Sequence, residues 1–401
     1  MKLKNKFFNL LLVLFLSISV FAFVGCKKEV DGEKSVKVGL ICLHDESSTY
    51  DKNFIDSMYR ALDRLGLSKK SLELVTGVGE DGACYEKACE LAATCDIVFA
   101  DSFGHEPFLL QAAQANKDTI FCHATGTQAH TAGVDNFYNA FASIYEGRYL
   151  AGIAAGMKLN EMIETGKITA DEAKMGYVGA FPYAEVVSGY TSFYLGAKSV
   201  CPTVTMKVVY TSSWYDYDKE YAAASALITS GCKLISQHAD SYGAPTACEQ
   251  TGTPNVTYNG TTVSKCPNTY VVSSKIDWTP YYVKMIKAVM DGTKVEEKDY
   301  VGTIATGSVK LDAVGTCAAA GTQEAIDAAI EQFKAGTLHV FDCSTFTVGG
   351  ETLTSYLADV DDDGKYVGET EVIKDGYFHE SEYRSAPYFD LRIDGISEAQ
   401  D

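Results

Sequence analysis

From Val36 onward the chain alternates short apolar, β-branched runs with longer stretches whose apolar residues recur at helical spacing. VKVGLICL precedes the helix-like NFIDSMYRALDRLG, LELVTGV precedes YEKACELAA, and CDIVFAD precedes PFLLQAAQAN. TIFCHAT is followed by the long stretch IYEGRYLAGIAAGMKLNEMI. The alternation then restarts with KMGYVGAF, VSGYTSFYLGAKSV, TMKVVYTSSW, KEYAAASALITSG and CKLISQH. Such runs predict strands and amphipathic helices in turn, and their repetition predicts parallel sheets covered by helices on both faces. Two series separated by the long helix and the ITADEAK linker predict an α/β protein of two Rossmann-like lobes joined by a hinge. The expected lobes are residues 36–170 with 270–300, and residues 171–269 with 301–340. Residues 341–401 are less periodic and are expected to pack on the lobes as a C-terminal extension.

The first residues stand outside that pattern. MKLKNK is basic, and FFNLLLVLFLSISVFAFV is an apolar run ending at Gly25-Cys26. Its length approaches that of a membrane span. A small residue followed by Cys, after the apolar run and before polar KKEVDGEKS, has the form of a bacterial lipobox. The expectation is a signal peptide over 1–25, a lipidated Cys26 that attaches the chain to the membrane, and a tether over 26–35. Twelve cysteines leave eleven beyond Cys26, an odd number with no CxxC pair. They read as small apolar core residues. Across 401 residues the formal net charge is −19, which argues against nucleic acid or an anionic membrane surface as the main partner.

In parallel α/β folds the loops at the carboxyl ends of the strands carry the ligand chemistry. Here they are rich in polar groups: HDESSTYD, DSFGHE, HATGT, TSSWYDYD, HADSYGAP and YNGTT. No GxSxG elbow or HExxH helix is present, and His44, His105, His123, His130 and His238 stand singly at different strand ends, so neither a catalytic nucleophile nor a metal site is indicated. No GxxxxGK[ST] or GxGxxG follows the first strand; Asp45, Glu46, Ser47 and Asp51 stand there instead. Carboxylates accept hydrogen bonds and repel anions, which disfavours phosphorylated ligands and suits a neutral ligand carrying hydroxyl or amine groups. Phe54 and Trp214 are aromatics in corresponding places of the two lobes and so candidates to sandwich a flat heterocycle, while Phe54 also fits an apolar stripe with Met58 and Leu62. Trp278 is a third candidate, with packing at a helix start as its alternative. DVDDDGKY begins like an EF-hand with Asp359, Asp361, Asp363 and Gly364, but Thr370 holds the position of the closing Glu, which favours an acidic turn.

KVGLICLHDESSTYDKNFIDS, NAFASIYEGRYLAGIAAGMKL, KMGYVGAF, GAKSVCPTVTMKVVYTSSWYDYDKE, HADSYGAP and HESEYRSAPYFDLRIDGI together resemble the basic membrane protein family, the purine nucleoside-binding lipoproteins of ABC importers. The resemblance implies a type I periplasmic-binding-protein fold, a lipid anchor at the extracytoplasmic face of the cell membrane, permease partners and no enzymatic activity or cofactor. It places Phe54 and Trp214 at the two clamping positions and Asp45 and Asp51 at polar ligand contacts. The family's base-contacting Asp is matched by Thr125 and a sugar-binding Asp by Asn259; its sugar-binding Lys has no clear equivalent, with Lys275 and Asp277 competing for the place. Asp240 completes the expected hydrogen-bonding set. These departures put the ligand's identity in question. A nucleoside hydrolase using clustered Asp residues and a ligand-sensing ectodomain are the rival readings.

Overall fold

A computed structural model describes residues 36–361 and 365–399. The expected signal peptide, Cys26 and the tether lie outside the described residues, as do Asp363 and Gly364 of the acidic turn.

The first lobe follows the predicted alternation: β1 (Val38–Ile41), α1 (Thr49–Arg64), β2 (Leu72–Val75), α2 (Gly82–Ala92), β3 (Ile97–Ala100), α3 (Glu106–Ala115), β4 (Ile120–Ala124) and β5 (Phe137–Ala142). The chain then enters the second lobe through α4 (Ile144–Glu164), followed by β6 (Lys174–Gly179), α5 (Ala184–Val200), β7 (Thr205–Tyr210), α6 (Tyr217–Thr229), β8 (Leu234–Gln237), α7 (Gly243–Thr251), β9 (Asn255–Tyr258) and β10 (Tyr270–Ile276). It returns to the first lobe with α8 (Thr279–Asp291) and β11 (Asp299–Gly302), and crosses once more to β12 (Val309–Leu311) and α9 (Thr322–Lys334). The sheets run β2-β1-β3-β4-β5-β11 and β7-β6-β8-β9-β10-β12. Every pairing in them is parallel except that of β10 with β12. Burial of β1, β3 and β8 at every position explains why these strands read as continuous apolar runs rather than alternating ones.

Two differences from the sequence expectation matter for the site. The first helix begins at Thr49, ahead of the expected Asn53, because the Ser48 side chain accepts from the Asp51 amide and caps it. The lobe boundaries also move. α4, expected in the first lobe, packs along α5 of the second, and β10 belongs to the second sheet. The glycines of YLAGIAAG are the reason: a Cβ on Gly152 would meet the Phe193 carbonyl at 2.1 Å, and one on Gly196 of α5 would meet that of Tyr149 at 2.0 Å. Only glycine lets the two backbones approach so closely. α8 lies within the stretch expected for the first lobe, and β11, which straddles the expected boundary at residue 300, pairs with β5 in the first sheet.

The lobes are therefore joined by three crossings, at 143, 277–278 and 303–308, and these bond to one another. The Ser143 amide donates to Gly302 O (2.7 Å) and the Asp277 amide to Ser308 O (2.6 Å). The extension adds its strand Ile396–Glu398 beside β7, and the Glu398 carboxylate accepts from both Tyr190 and Tyr210 at 2.7 Å.

Candidate functional site

Both sheets have the strand order 2-1-3-4-5, in which neighbouring connections leave in opposite directions between the first and third strands. A crevice opens there, outside the carboxyl ends of the strands. The crevices of the two lobes face each other, and residues from both line one cavity. The first lobe contributes His44 after β1, Tyr50 and Asp51 from the first turn of α1, Ser102 and Phe103 after β3, and Thr125 after β4. The second lobe contributes Glu185 from α5, Trp214 after β7, His238 and Asp240 after β8, and Tyr258 and Asn259 at the end of β9.

Two pseudo-equivalent positions are strained. Thr125 (φ 70°) and Asn259 (φ 64°) both adopt the left-handed conformation, which is costly for a β-branched residue. Each follows the fourth strand of its sheet and donates its amide to the fifth, Thr125 to Ala140 O and Asn259 to Ser274 O, both at 2.9 Å. The kink turns each loop back over the cleft. Outliers of this kind concentrate at functional sites. The Thr125 hydroxyl and the Tyr258 phenol, both buried and both lining the cavity, have no hydrogen-bond partner within the protein, and buried polar groups ordinarily find one.

The rim is nearly closed. Thr49 donates both its amide (3.1 Å) and its hydroxyl (3.0 Å) across the cleft to Asp240 O. Phe103 of the first lobe lies 5.7 Å from Tyr183 of the second, and His44 lies 5.4 Å from Tyr215. The cavity enclosed is about 20 Å³, room for a single water.

The carboxylates divide by environment. Burial works against the ionised form of Asp51, but bonds from His44 and Ser48 outweigh it and hold the carboxyl below the usual range. Neighbouring Asp101 is wholly buried, and burial together with the Asp51 charge pushes its carboxyl well up. Asp240 is likewise pushed well up, by burial and by Asp51 and Glu220. Burial lowers His238, whose ring bridges the Tyr177 hydroxyl and Glu185. Within the cleft, then, the carboxyl of Asp51 is held down while that of Asp240 is pushed up. Oxygen and sulfur atoms of Cys42, Asp51 and Asp101 lie within 4.8 Å of one another, all buried; two of these residues already bind backbone, Asp101 accepting from the Leu43 amide and Asp51 from that of His44.

Of the expected site residues, Asp51, Thr125, Trp214, Asp240 and Asn259 line the cavity. Asp45 and Ser47 do not: both are exposed, the Asp45 carboxylate accepting from the Ser47 amide to shape the turn. Phe54 does not either. Its ring is buried, stacked on Trp278 at 4.4 Å; the aromatic that α1 brings to the cavity is Tyr50, one helical turn earlier, and Phe103 is a second first-lobe aromatic there. Trp278 and Asp277 sit at the hinge. Asp277 binds Lys310 (2.6 Å) and Arg60 (3.2 Å), and its carboxylate caps α8 through the Thr279 amide.

Two buried carboxylates behind the rim set its shape. Glu106, in the first turn of α3, accepts from the amides of Thr127 and Gln128 and from Asn139. A Cβ on Gly126 would meet it at 2.3 Å. Glu220, in the first turn of α6, accepts from the Ser241 amide (3.1 Å) and so holds the loop bearing His238 and Asp240. Burial pushes Glu220 up to about 7 despite those bonds. A carboxyl raised in the folded state contributes stability that is complete below its unfolded value and is lost as pH climbs through the folded one. Glu220→Gln should therefore remove about 3 kcal/mol of the stability lost between about pH 4.5 and pH 7. Urea unfolding at both ends of that window checks it; identical pH dependence in both proteins would contradict it.

Two mirrored α/β lobes, three bonded crossings and one polar, aromatic cleft define a solute-binding protein, and sequence comparison gives the family. Residues 38–335 match the PnrA-like ABC transporter substrate-binding proteins, known as Bmp, and the chain belongs to that family. It is 33% identical over 284 residues to a purine-binding protein of Brucella abortus, covering 70% of this chain and 75% of that one. A Haloferax volcanii protein, named provisionally as an ABC transporter glucose-binding protein, is 32% identical over 251 residues, 63% of this chain and 60% of its own. The fold is similar to that of an ABC transporter solute-binding protein from Conexibacter woesei, with a TM-score of 0.62 at 20% identity over 76% of this chain and 98% of the other. Such proteins deliver a small-molecule ligand to permease subunits. No helix among the described residues is long and apolar enough to cross a membrane.

Proposed function

We propose that this protein captures a purine nucleoside or free purine between its lobes for an ABC importer, tethered at the extracytoplasmic face by lipid on Cys26. One observation carries the ligand class: Tyr50 of the first lobe and Trp214 of the second line one cavity with Asp51, Asp240 and Asn259, and no Lys or Arg lines it among the described residues. Aromatic faces suit a flat heterocycle, with stacking worth about 1–3 kcal/mol per base. The carboxyls and the Asn amide suit its donor and acceptor edges, and the absence of a lining cation disfavours a phosphate. The Brucella relative's name agrees with a purine. The Haloferax relative's name makes a hexose the competing ligand, since sugars also meet carboxylates and aromatic faces.

Pockets for small molecules commonly run to about 300–1,000 Å³, far above the cavity here. Entry therefore requires the rim contacts of Thr49, Phe103 and His44 to part, by rotation about the three crossings. The ligand is bound and released unchanged. Trp214 is half-buried at the rim whereas Trp278 is buried against Phe54, so tryptophan emission should report cleft occupancy. Titration with inosine or adenine is expected to change that emission saturably and return the compound intact. A response to glucose and none to purines would overturn the ligand class, and recovery of cleaved nucleoside would overturn the absence of catalysis.

A further inference from the structure

A second cavity, of about 250 Å³, opens where the C-terminal extension meets α4 and α9. It is far larger than the space in the interlobe cleft, with room for roughly eight waters. Ten of the thirteen residues lining it lie beyond residue 335, where the family match ends. The extension has thus built a concave site that the family-matched part of the chain does not make alone.

Its chemistry is one-sided. Glu146, Glu380 and Glu382 line it, and neither Lys nor Arg does. Glu380 is only 5% exposed; one carboxylate oxygen accepts from the Tyr388 amide at 3.3 Å, while Oε1 has no hydrogen-bond partner. Burial pushes this carboxyl up to about 8, against the pull of Ser188, the Tyr388 amide and Arg384. Arg384 donates instead to the carbonyls of Ala386 and Pro387. Glu146 sits at the start of α4, next to the first crossing, and accepts from the Ile304 amide of the third at 2.7 Å; burial pushes it up to about 7. Most of the remaining wall is aromatic, with Leu338 and Val340 completing it. His339, Tyr377 and His379 stack face to face at 3.9 and 4.0 Å, and Phe341 and Phe378 lie behind them.

We propose that this cavity is a second ligand site, separate from the interlobe cleft, for a small organic cation carrying a primary or quaternary ammonium group. Glu382 is already paired with Lys374 at 3.6 Å on the exposed edge, but Glu146 and Glu380 make no ion pair among the described residues and would be neutralised by such a ligand, and aromatic side chains attract a desolvated ammonium. An anion would meet three carboxyl groups. A transition metal fits less well: His379 already bonds Glu382 (2.5 Å) and the Lys374 carbonyl (3.2 Å) through its two nitrogens, and these His and Glu atoms do not converge as a metal-ligating group among the described residues.

The test is calorimetric titration of the full chain with putrescine and, separately, choline, with glycerol as the neutral control. At least one amine should bind saturably and glycerol should not. Glu380→Gln should weaken that binding roughly tenfold or more, the equivalent of one charge-assisted contact. Glu382→Gln, on the exposed edge of the cavity where the fold is not at risk, should weaken it by a smaller factor. Trp214→Ala should leave it unchanged. Absence of saturable binding by either amine, binding that survives both glutamate substitutions, or binding lost with Trp214 would each overturn the proposal, the last by placing the cation in the cleft.

Discussion

Trp214→Ala should weaken purine binding by roughly 5- to 150-fold without unfolding the protein, the factor that follows from losing about 1–3 kcal/mol of stacking. The indole is half-buried at the rim, packed edge-on against Phe181 at 5.2 Å and near Tyr183 at 6.1 Å. Beyond this edge packing the side chain makes no hydrogen bond among the described residues, and the Trp214 carbonyl accepts from the Asp240 amide at 2.9 Å. The same truncation at Phe54 should behave in the opposite way. That ring is 1% exposed and packed between Tyr50 and Trp278, so Phe54→Ala should cost about 3–5 kcal/mol of stability and affect the ligand only through displacement of α1. Calorimetry and thermal melts on the two variants separate the roles. A binding defect at Phe54 with an unchanged melting temperature, alongside unchanged affinity at Trp214, would return the clamp to the residue the sequence suggested.

Asp277→Ala is expected to produce a large loss of stability, about 2–4 kcal/mol. The carboxylate is nearly buried, caps α8, and binds Arg60 of α1 in one lobe and Lys310 of β12 in the other. Both cations are partly exposed, so solvent screens the ion pairs, and much of the effect comes from the lost cap and from backbone donors left unpaired. Burial opposes ionisation here, but the bonds from Lys310 and Thr279 hold the carboxyl well below the usual range. A carboxyl lowered in the folded state contributes stability above its unfolded value that is lost as pH falls through the folded one. Wild type should accordingly lose this increment below about pH 4, and the variant should not. Urea unfolding at neutral and acid pH checks both parts, and a neutral-pH loss under about 1 kcal/mol would contradict them.

Much of the architecture was legible because its signal is periodic. Strands buried on both faces read as unbroken apolar runs, and the alternation of VKVGLICL, LELVTGV and CDIVFAD with helical stretches is the parallel α/β pattern itself. The lobe boundaries were not legible. Nothing in local periodicity says that IYEGRYLAGIAAG packs against VSGYTSFYLGAKS, or that the strand ending at Ile276 pairs with β9; both follow from long-range contact. One miss had an available signal. Ser48 three residues before Asp51 is the start of a helix cap. Placing the helix there puts Tyr50 in its first turn, at the cleft, and Phe54 one turn deeper in the core. Glu106 and Glu220 had none, because a carboxylate that accepts loop amides looks in sequence like any acidic residue opening a helix. The left-handed Thr125 is similarly silent, since its residue type argues against the conformation it adopts.

The central claim is that a purine ligand bridges Tyr50 and Trp214 between two lobes that close on it. Its most direct test is calorimetric titration of the full chain with inosine, adenosine, adenine and glucose in parallel. The expected result is saturable binding of at least one purine compound, lost in large part in Trp214→Ala, with glucose silent. Saturable binding of glucose alone, or of a purine with full affinity in the absence of the Trp214 ring, would contradict it.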